Sequence, residues 1–122
     1  NSEDYNYSMI SIFTIADVFY LSTNSINMSI KLATVKKIAE QKGISGKIEI
    51  SDRKGKRFKI TKNDKIIHFG LWPFLGHGTF IDHRDKTIKK AWRARHSKIK
   101  KNGKPAYKDP SSPEYYSWHL LW

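Results

Sequence analysis

The 122-residue chain contains no cysteine. That absence excludes disulfide bonds and thiolate metal sites, and with them the small secreted scaffolds that depend on cross-links. Long apolar runs are also scarce. The longest, residues 9–21, is interrupted by Asp17 and is shorter than the roughly twenty apolar residues of a transmembrane helix. We therefore expect no membrane span, and an intracellular or intravirion setting fits the composition.

Basic residues are absent from the first thirty positions, in which only Glu3, Asp4 and Asp17 are ionised. All 23 Lys and Arg residues lie in 31–122, against eight acidic residues, and the whole chain carries a net charge of +12. The surfaces of small domains usually carry a smaller excess of one sign. The asymmetry predicts an uncharged N-terminal arm, 1–30, followed by a basic domain, 31–122. It also predicts a polyanionic partner, with nucleic acid favoured over an anionic membrane face.

Alternation of apolar and charged residues predicts an antiparallel meander with one apolar face. Its strands are expected at 46–50, 57–61 and 65–69, with 79–81 as a candidate fourth strand. Hydrophobic residues make up 39% of the chain and aromatic residues 13%, enough for one modest core. For residues 1–30 a strand pair, a short helix and an arm packed on a neighbour all remain open, because their periodicity does not decide.

Three helices are predicted around this sheet. Apolar residues recur with helical spacing in 32–42, where Gly43 is placed to end the helix, and in 85–100, with Asp85 or Asp82 as the capping residue. The spacing of Ser111 and Glu114 resembles a capping box for an apolar helix over 114–122. The resulting class is α+β: a small antiparallel sheet of three or four strands, covered by a basic helix and a short apolar C-terminal helix.

The basic helix and the loop that follows it carry the main functional signal. Eleven Lys and Arg residues fall between Arg84 and Lys108, where only Asp85 opposes them. Such a segment neutralises phosphates by counterion release with little sequence preference. Tyr107, on the expected loop, is the better candidate for stacking on a base, because Trp92 lies on the core stripe. The predicted nucleic-acid-binding residues are Lys86, Lys89, Lys90, Arg93, Arg95, Lys98, Lys100, Lys101, Lys104 and Tyr107.

A second cluster, His77, Asp82, His83 and Asp85, suggests a metal site or a nuclease centre with His83 as general base. Its spacing matches no metal-ligand signature, so helix capping or pairing of the carboxylates with Arg84, Arg93 or Arg95 is preferred. Neither a GxGxxG nor a GxxxxGK[ST] phosphate loop is present. We expect no catalytic residue, no metal and no cofactor.

Four short segments follow one another in the C-terminal half: IHFG at 67–70, DHRD at 82–85, WRARH at 92–96 and WHLLW at 118–122. In this order they resemble small basic proteins of unknown function encoded by nucleocytoplasmic large DNA viruses. The resemblance covers residues 65–122. Within them, the insertion WPFLGHG departs from the pattern of that family. It implies a viral context, in a virion or in the interior of an infected cell, and it transfers no active site.

Two functions are therefore expected. The first is a non-enzymatic nucleic-acid-binding protein of a large DNA virus, with DNA favoured over RNA as its ligand, that packages or condenses the genome. The second is a minor virion or capsid structural protein that docks on capsid proteins through the arm 1–30. A nuclease is a distant third.

Overall fold

The structure is a computed structural model that describes the backbone of residues 15–74 and 76–122, with side chains described from residue 26 onward. The chain divides into two units, Asn1–Ile30 and Lys31–Trp122. The first fourteen residues of the expected N-terminal arm lie outside the described residues.

Helix α1 spans Ile15–Lys42 and is longer than the predicted helix over 32–42. Its end is as predicted: Gly43 follows with a φ of 69°, a left-handed conformation that glycine adopts without steric cost. The earlier start escaped prediction because the polar residues 22–29 hide the helical period. In this part of α1 the two isoleucines Ile26 and Ile30 are 59% and 55% exposed.

The three-stranded meander is confirmed. Strands β1 (Lys47–Ile50), β2 (Lys56–Lys62) and β3 (Lys65–Leu71) lie in the order β1-β2-β3 and are antiparallel. Ile48 faces Ile60, and Phe58 faces Phe69, so the apolar positions of the three strands share one face. Helices accompany this sheet, and the protein is a small α+β fold. The core residues are Val35, Ala39, Ile48, Phe58, Ile60, Phe69, Ile81, Tyr116, Leu120 and Leu121.

The candidate fourth strand at 79–81 is wrong. Phe80–His83 form a short helix, α2. The Asp82 carboxylate accepts hydrogen bonds from the Thr79 N–H (2.8 Å) and from the Thr79 hydroxyl (2.9 Å). This capping interaction closes the first turn and favours helix over strand.

Helix α3 covers Lys86–His96 and ends before the predicted limit at residue 100. The basic loop predicted after it contains a small hairpin, in which β4 (Lys100–Lys101) pairs with β5 (Lys104–Pro105). Asn102 and Gly103 connect the two strands, both with positive φ. Asn-Gly is a strong hairpin signal that the sequence interpretation passed over. A 3-10 turn, Ala106–Lys108, follows.

The C-terminal segment is helical and buried, as predicted, but its cap differs. Helix α4 covers Pro113–Tyr116 and continues as a π-helical turn, Ser117–Leu121. The capping hydroxyl belongs to Ser112, which accepts from the Glu114 N–H. Ser111, the predicted cap, instead donates its hydroxyl hydrogen to Asp109 (2.8 Å). Within the described part of the chain, no helix combines the length and apolarity needed to cross a membrane.

Candidate nucleic-acid interface

Helix α3 is the predicted basic helix, and Asp85 is confirmed as its N-cap. The Asp85 Oδ1 atom accepts hydrogen bonds from the N–H groups of Thr87 (2.9 Å) and Ile88 (3.2 Å). These bonds satisfy donors that the first turn of a helix leaves without partners. The cap therefore fixes where the helix begins and how its side chains are arranged around the axis.

Four of the predicted cations form one stripe along α3. They recur at spacings of three and four residues, which places them on one side of the helix, and together with Phe80 they line a cavity of about 360 Å³. The Lys89 ammonium lies 4.4 Å from the centre of the Phe80 ring, within cation–π range. The members of this cationic stripe are Lys86, Lys89, Lys90 and Arg93.

The remaining predicted cations do not join the cationic stripe. Arg95 lies about half a turn around α3 from it. Lys98, Lys100 and Lys104 are exposed beyond the end of the helix. Lys101 is engaged within the domain, because its ammonium lies 3.6 Å from Asp109 and donates to the Ser111 hydroxyl (2.8 Å). The predicted surface is therefore divided into the cationic stripe on α3 and the exposed lysines that follow the helix.

Tyr107 does not stand on an open loop. It belongs to the 3-10 turn, and its ring stacks on Trp118 with 4.0 Å between ring centres and 17° between planes. One face of Tyr107 is therefore covered within the domain, which leaves a single face for a base.

The side of α3 next to the cationic stripe is aromatic. Trp92 is sandwiched between His96 (3.8 Å, 14°) and Trp122 (4.6 Å, 8°). His96 is held in turn by Glu114, with 2.7 Å between its Nδ1 atom and Oε1 of Glu114. Both faces of Trp92 are used, so its indole packs the helix against the C-terminal segment. A cavity of about 390 Å³ opens beside these rings.

Arg93 connects the cationic stripe to the aromatic side. Its guanidinium lies 4.8 Å from the centre of the Trp118 ring, and Nη2 donates to the Trp118 carbonyl oxygen at 3.3 Å. Burial lowers the pKa of Arg93 below its ordinary value. Burial also lowers the pKa of Lys89, and the neighbouring charges of Arg93 and Lys86 lower it further. Desolvation is the cause that the two pKa shifts share, and repulsion by neighbouring positive charges acts on Lys89.

Asp82 pairs with Arg57, which the sequence interpretation did not single out. Arg57 Nη1 and Nη2 donate to the two Asp82 carboxylate oxygens at 2.7 and 2.8 Å, and the side chains are only 1% and 11% exposed. Although burial opposes ionisation, the hydrogen bonds from Arg57 and Thr79 hold the pKa of Asp82 below its ordinary value. The expected pairing of Asp82 with Arg84, Arg93 or Arg95 is wrong. This ion pair ties α2, and with it Phe80, to strand β2.

The other members of the His77–Asp85 cluster have separate local contacts. His83 Nδ1 accepts from the Asp85 N–H (2.9 Å), Asp85 caps α3, and His77 is exposed. Among the side chains that the structure describes, no three His, Cys, Asp or Glu residues are grouped as metal ligands.

Comparison with known proteins places the stripe within a matched region. Residues 46–96 match the model of a family of unknown function (DUF5754). The match runs from the start of the meander to the end of α3, and so includes the cationic stripe and the Arg57–Asp82 pair. No curated protein and no solved structure matches the chain.

Proposed function

We propose that residues 31–122 bind nucleic acid without catalysis, through phosphate contacts that depend little on sequence. The observation that carries this proposal is the cationic stripe. Its four members line one open surface depression, and none of them forms a salt bridge with a carboxylate among the described side chains. A concentrated positive charge without an internal counter-charge favours a polyanion. Lysines on flexible stems contact phosphate oxygens and carry little sequence information.

The salt dependence of DNA binding tests this proposal. Four phosphate contacts correspond to a slope of about −3.6 in log affinity against log salt, so affinity should fall about a hundredfold between 50 and 200 mM salt. The measurement is fluorescence anisotropy with a labelled duplex and with a second duplex of shuffled sequence, which should bind equally. Binding that is absent, or unchanged across this salt range, would overturn the proposal.

A matched pair of double variants separates the stripe from net charge. Replacing Lys86 and Lys90 with glutamine should reduce the steepness of the salt slope by nearly two, because two phosphate contacts are lost. Replacing Lys36 and Lys37, which are exposed on α1, removes the same charge elsewhere and should leave the slope close to that of the unchanged protein. Equal effects of the two double variants would show that net charge, and not the stripe, drives binding.

The setting that we propose is a large DNA virus, with the protein in the virion or the infected cell and with genome packaging or condensation as its task. This setting is supported by the resemblance of residues 65–122 to small basic proteins of large DNA viruses. The cationic stripe supports a nucleic acid as the partner. Mass spectrometry of purified, nuclease-treated particles tests it: the protein should be present and should crosslink to the genome. Its exclusion from particles would refute the packaging role.

A second candidate function, a minor capsid protein that docks through its N-terminal region, is favoured by one observation. Ile26 and Ile30 lie one helical turn apart, and both are more than half exposed, which is typical of an apolar contact strip. Replacing both with serine should lower the copy number in particles while DNA affinity is preserved. Unchanged incorporation would exclude docking through this strip.

A further inference from the structure

The aromatic side of α3 borders a half-open cleft of about 390 Å³, and no member of the cationic stripe lines it. Five parts of the fold meet there: the turn between β1 and β2, the end of β3, the loop before α2, helix α3 and the C-terminal helical segment. Binding sites for small molecules typically have volumes of about 300–1,000 Å³ and combine apolar walls with a few polar groups. The cleft has the volume of such a site, and its walls decide which ligand it fits.

The walls of the cleft are mainly apolar and aromatic. Phe74 and Trp122, both half-buried, line it together with Leu121. Trp92 contributes an edge of its indole, because its two faces are covered by His96 and Trp122. Walls of this kind favour a flat and largely apolar group over a solvated ion.

Three polar side chains that line the cleft have unused hydrogen-bonding capacity. Glu114 is bound to His96 through Oε1, which leaves Oε2 as an acceptor. The Ser117 hydroxyl and the Lys56 ammonium belong to half-buried residues, and neither group makes a hydrogen bond or an ion pair with a described residue. A ligand in the cleft therefore meets a carboxylate oxygen, a hydroxyl and a cation. Few polar groups among apolar walls are typical of sites that orient one specific ligand.

The cleft lies next to the cationic stripe on the same helix. Trp92 and His96 are about a quarter turn around α3 from the centre of the stripe, and Trp92 directly precedes Arg93 in the chain. We propose that the cleft binds one unpaired nucleobase with an exocyclic amino group, such as cytosine, while the stripe contacts phosphates of the same strand. We call it the base cleft. The proposal rests on the proposed function and deepens it, because it names unpaired nucleic acid as the preferred form.

Each part of such a nucleotide has a counterpart in the base cleft. The ring fits the apolar walls, and the amino group donates to the free carboxylate oxygen of Glu114. Thymine has no amino group, and the carbonyl oxygens on either side of its ring N–H repel a carboxylate. The Lys56 ammonium supplies a charge for the phosphate of the same nucleotide. A base inside a duplex is stacked and paired, so only an unpaired base enters the cleft.

The experiment uses the full chain with oligo(dC) and oligo(dT) of about ten nucleotides, equal in length and charge, at one fixed salt concentration. Oligo(dC) should bind about tenfold more tightly than oligo(dT), which is the effect of one well-formed base contact. It should also quench tryptophan fluorescence, because Trp92 and Trp122 line the cleft. A duplex of the same length should bind without this quenching.

Two variants test whether the preference arises in the base cleft. Ser117→Leu fills part of the cleft without changing the charge and should abolish both the preference for oligo(dC) and the quenching. Glu114→Gln replaces the carboxylate with an amide and should reduce the preference. The matched control is Glu40→Gln, which removes the same charge from an exposed position on α1 and should keep the preference of the unchanged protein. All variants are compared below their unfolding temperatures.

The outcomes separate the base cleft from the proposed function. Equal affinities for oligo(dC) and oligo(dT), or a preference that persists in Ser117→Leu, would overturn the base cleft, and a steep salt slope on DNA in the same protein would keep the proposed function. The free nucleotide dCMP provides the converse case. If dCMP quenches the unchanged protein but not Ser117→Leu, and DNA binding shows no salt dependence, the base cleft is kept and the proposed function is lost.

Discussion

Replacement of Asp82 by asparagine should destabilise the protein more than any surface change. The substitution preserves shape but removes the charge that balances Arg57, whose side chain is 1% exposed. Leaving one member of a buried ion pair without its partner costs about 3–5 kcal/mol. Domains of this size have a total free energy of unfolding of about 5–15 kcal/mol. The variant should therefore lose between about a fifth of its stability and all of it.

Urea denaturation followed by tryptophan fluorescence measures this loss. The matched control is Lys47→Gln, which breaks a pair with Glu49 whose members are 76% and 42% exposed and should cost less than about 1 kcal/mol. The double variant Arg57→Met with Asp82→Asn removes both charges but keeps a side-chain oxygen that accepts from Thr79, and it should regain much of the lost stability. The reasoning is refuted if Asp82→Asn costs no more than the control, or if the double variant is as unstable as the single one.

Three further predictions concern single positions, each measured by urea unfolding. Gly70→Ala should cost about 1–3 kcal/mol of stability, because φ is 82° and a Cβ atom would lie 2.9 Å from Leu121 Cδ1. Gly43→Ala is the control, with a φ of 69° and no heavy atom within 4 Å of a Cβ atom, and it should cost less. Equal costs would contradict the packing argument. Asp85→Ala should cost about 1 kcal/mol through loss of the α3 cap, and no loss would mean that the cap is dispensable. The pKa of Asp82 is lower in the folded state than in the unfolded state, where it is about 4. The charged carboxylate therefore stabilises the fold at pH values above about 4, and this stabilisation is lost as the pH falls through the folded-state pKa. The stability difference between the unchanged protein and Asp82→Asn should thus shrink below about pH 4, and a constant difference down to pH 2 would argue against ionisation as its source.

The sheet and the helix ends were predictable because they depend on local patterns. Alternation located the three strands, Gly43 marked the end of α1, and Asp85 marked the start of α3. The hairpin at Asn102-Gly103 is equally local, because Asn-Gly alone is a strong signal for a two-residue hairpin turn. The error at 79–81 arose because three residues carry too little period to distinguish strand from helix.

The candidate site was predictable only in part, because its geometry is not local. Four of the nine cations expected at the interface line one open surface depression, since helical spacing alone brings them together. Arg57 alternates onto the polar face of β2, and no sequence pattern shows that α2 covers that face. Lys42 resembles any lysine at the end of a helix, and its hydrogen bond to the His119 carbonyl oxygen depends on tertiary packing.

The stacking of Trp92 on Trp122 has a consequence for when the basic surface is assembled during synthesis. Helix α3 contains no fully buried residue and has eleven residues, a length at which isolated helices are marginal in water. Two of its aromatic packing partners, Trp118 and Trp122, are translated after it, and α3 therefore lacks this packing until residues 118–122 have left the ribosome. A nascent chain accordingly carries this positive charge on a marginally stable helix until the C-terminal tryptophans pack against it.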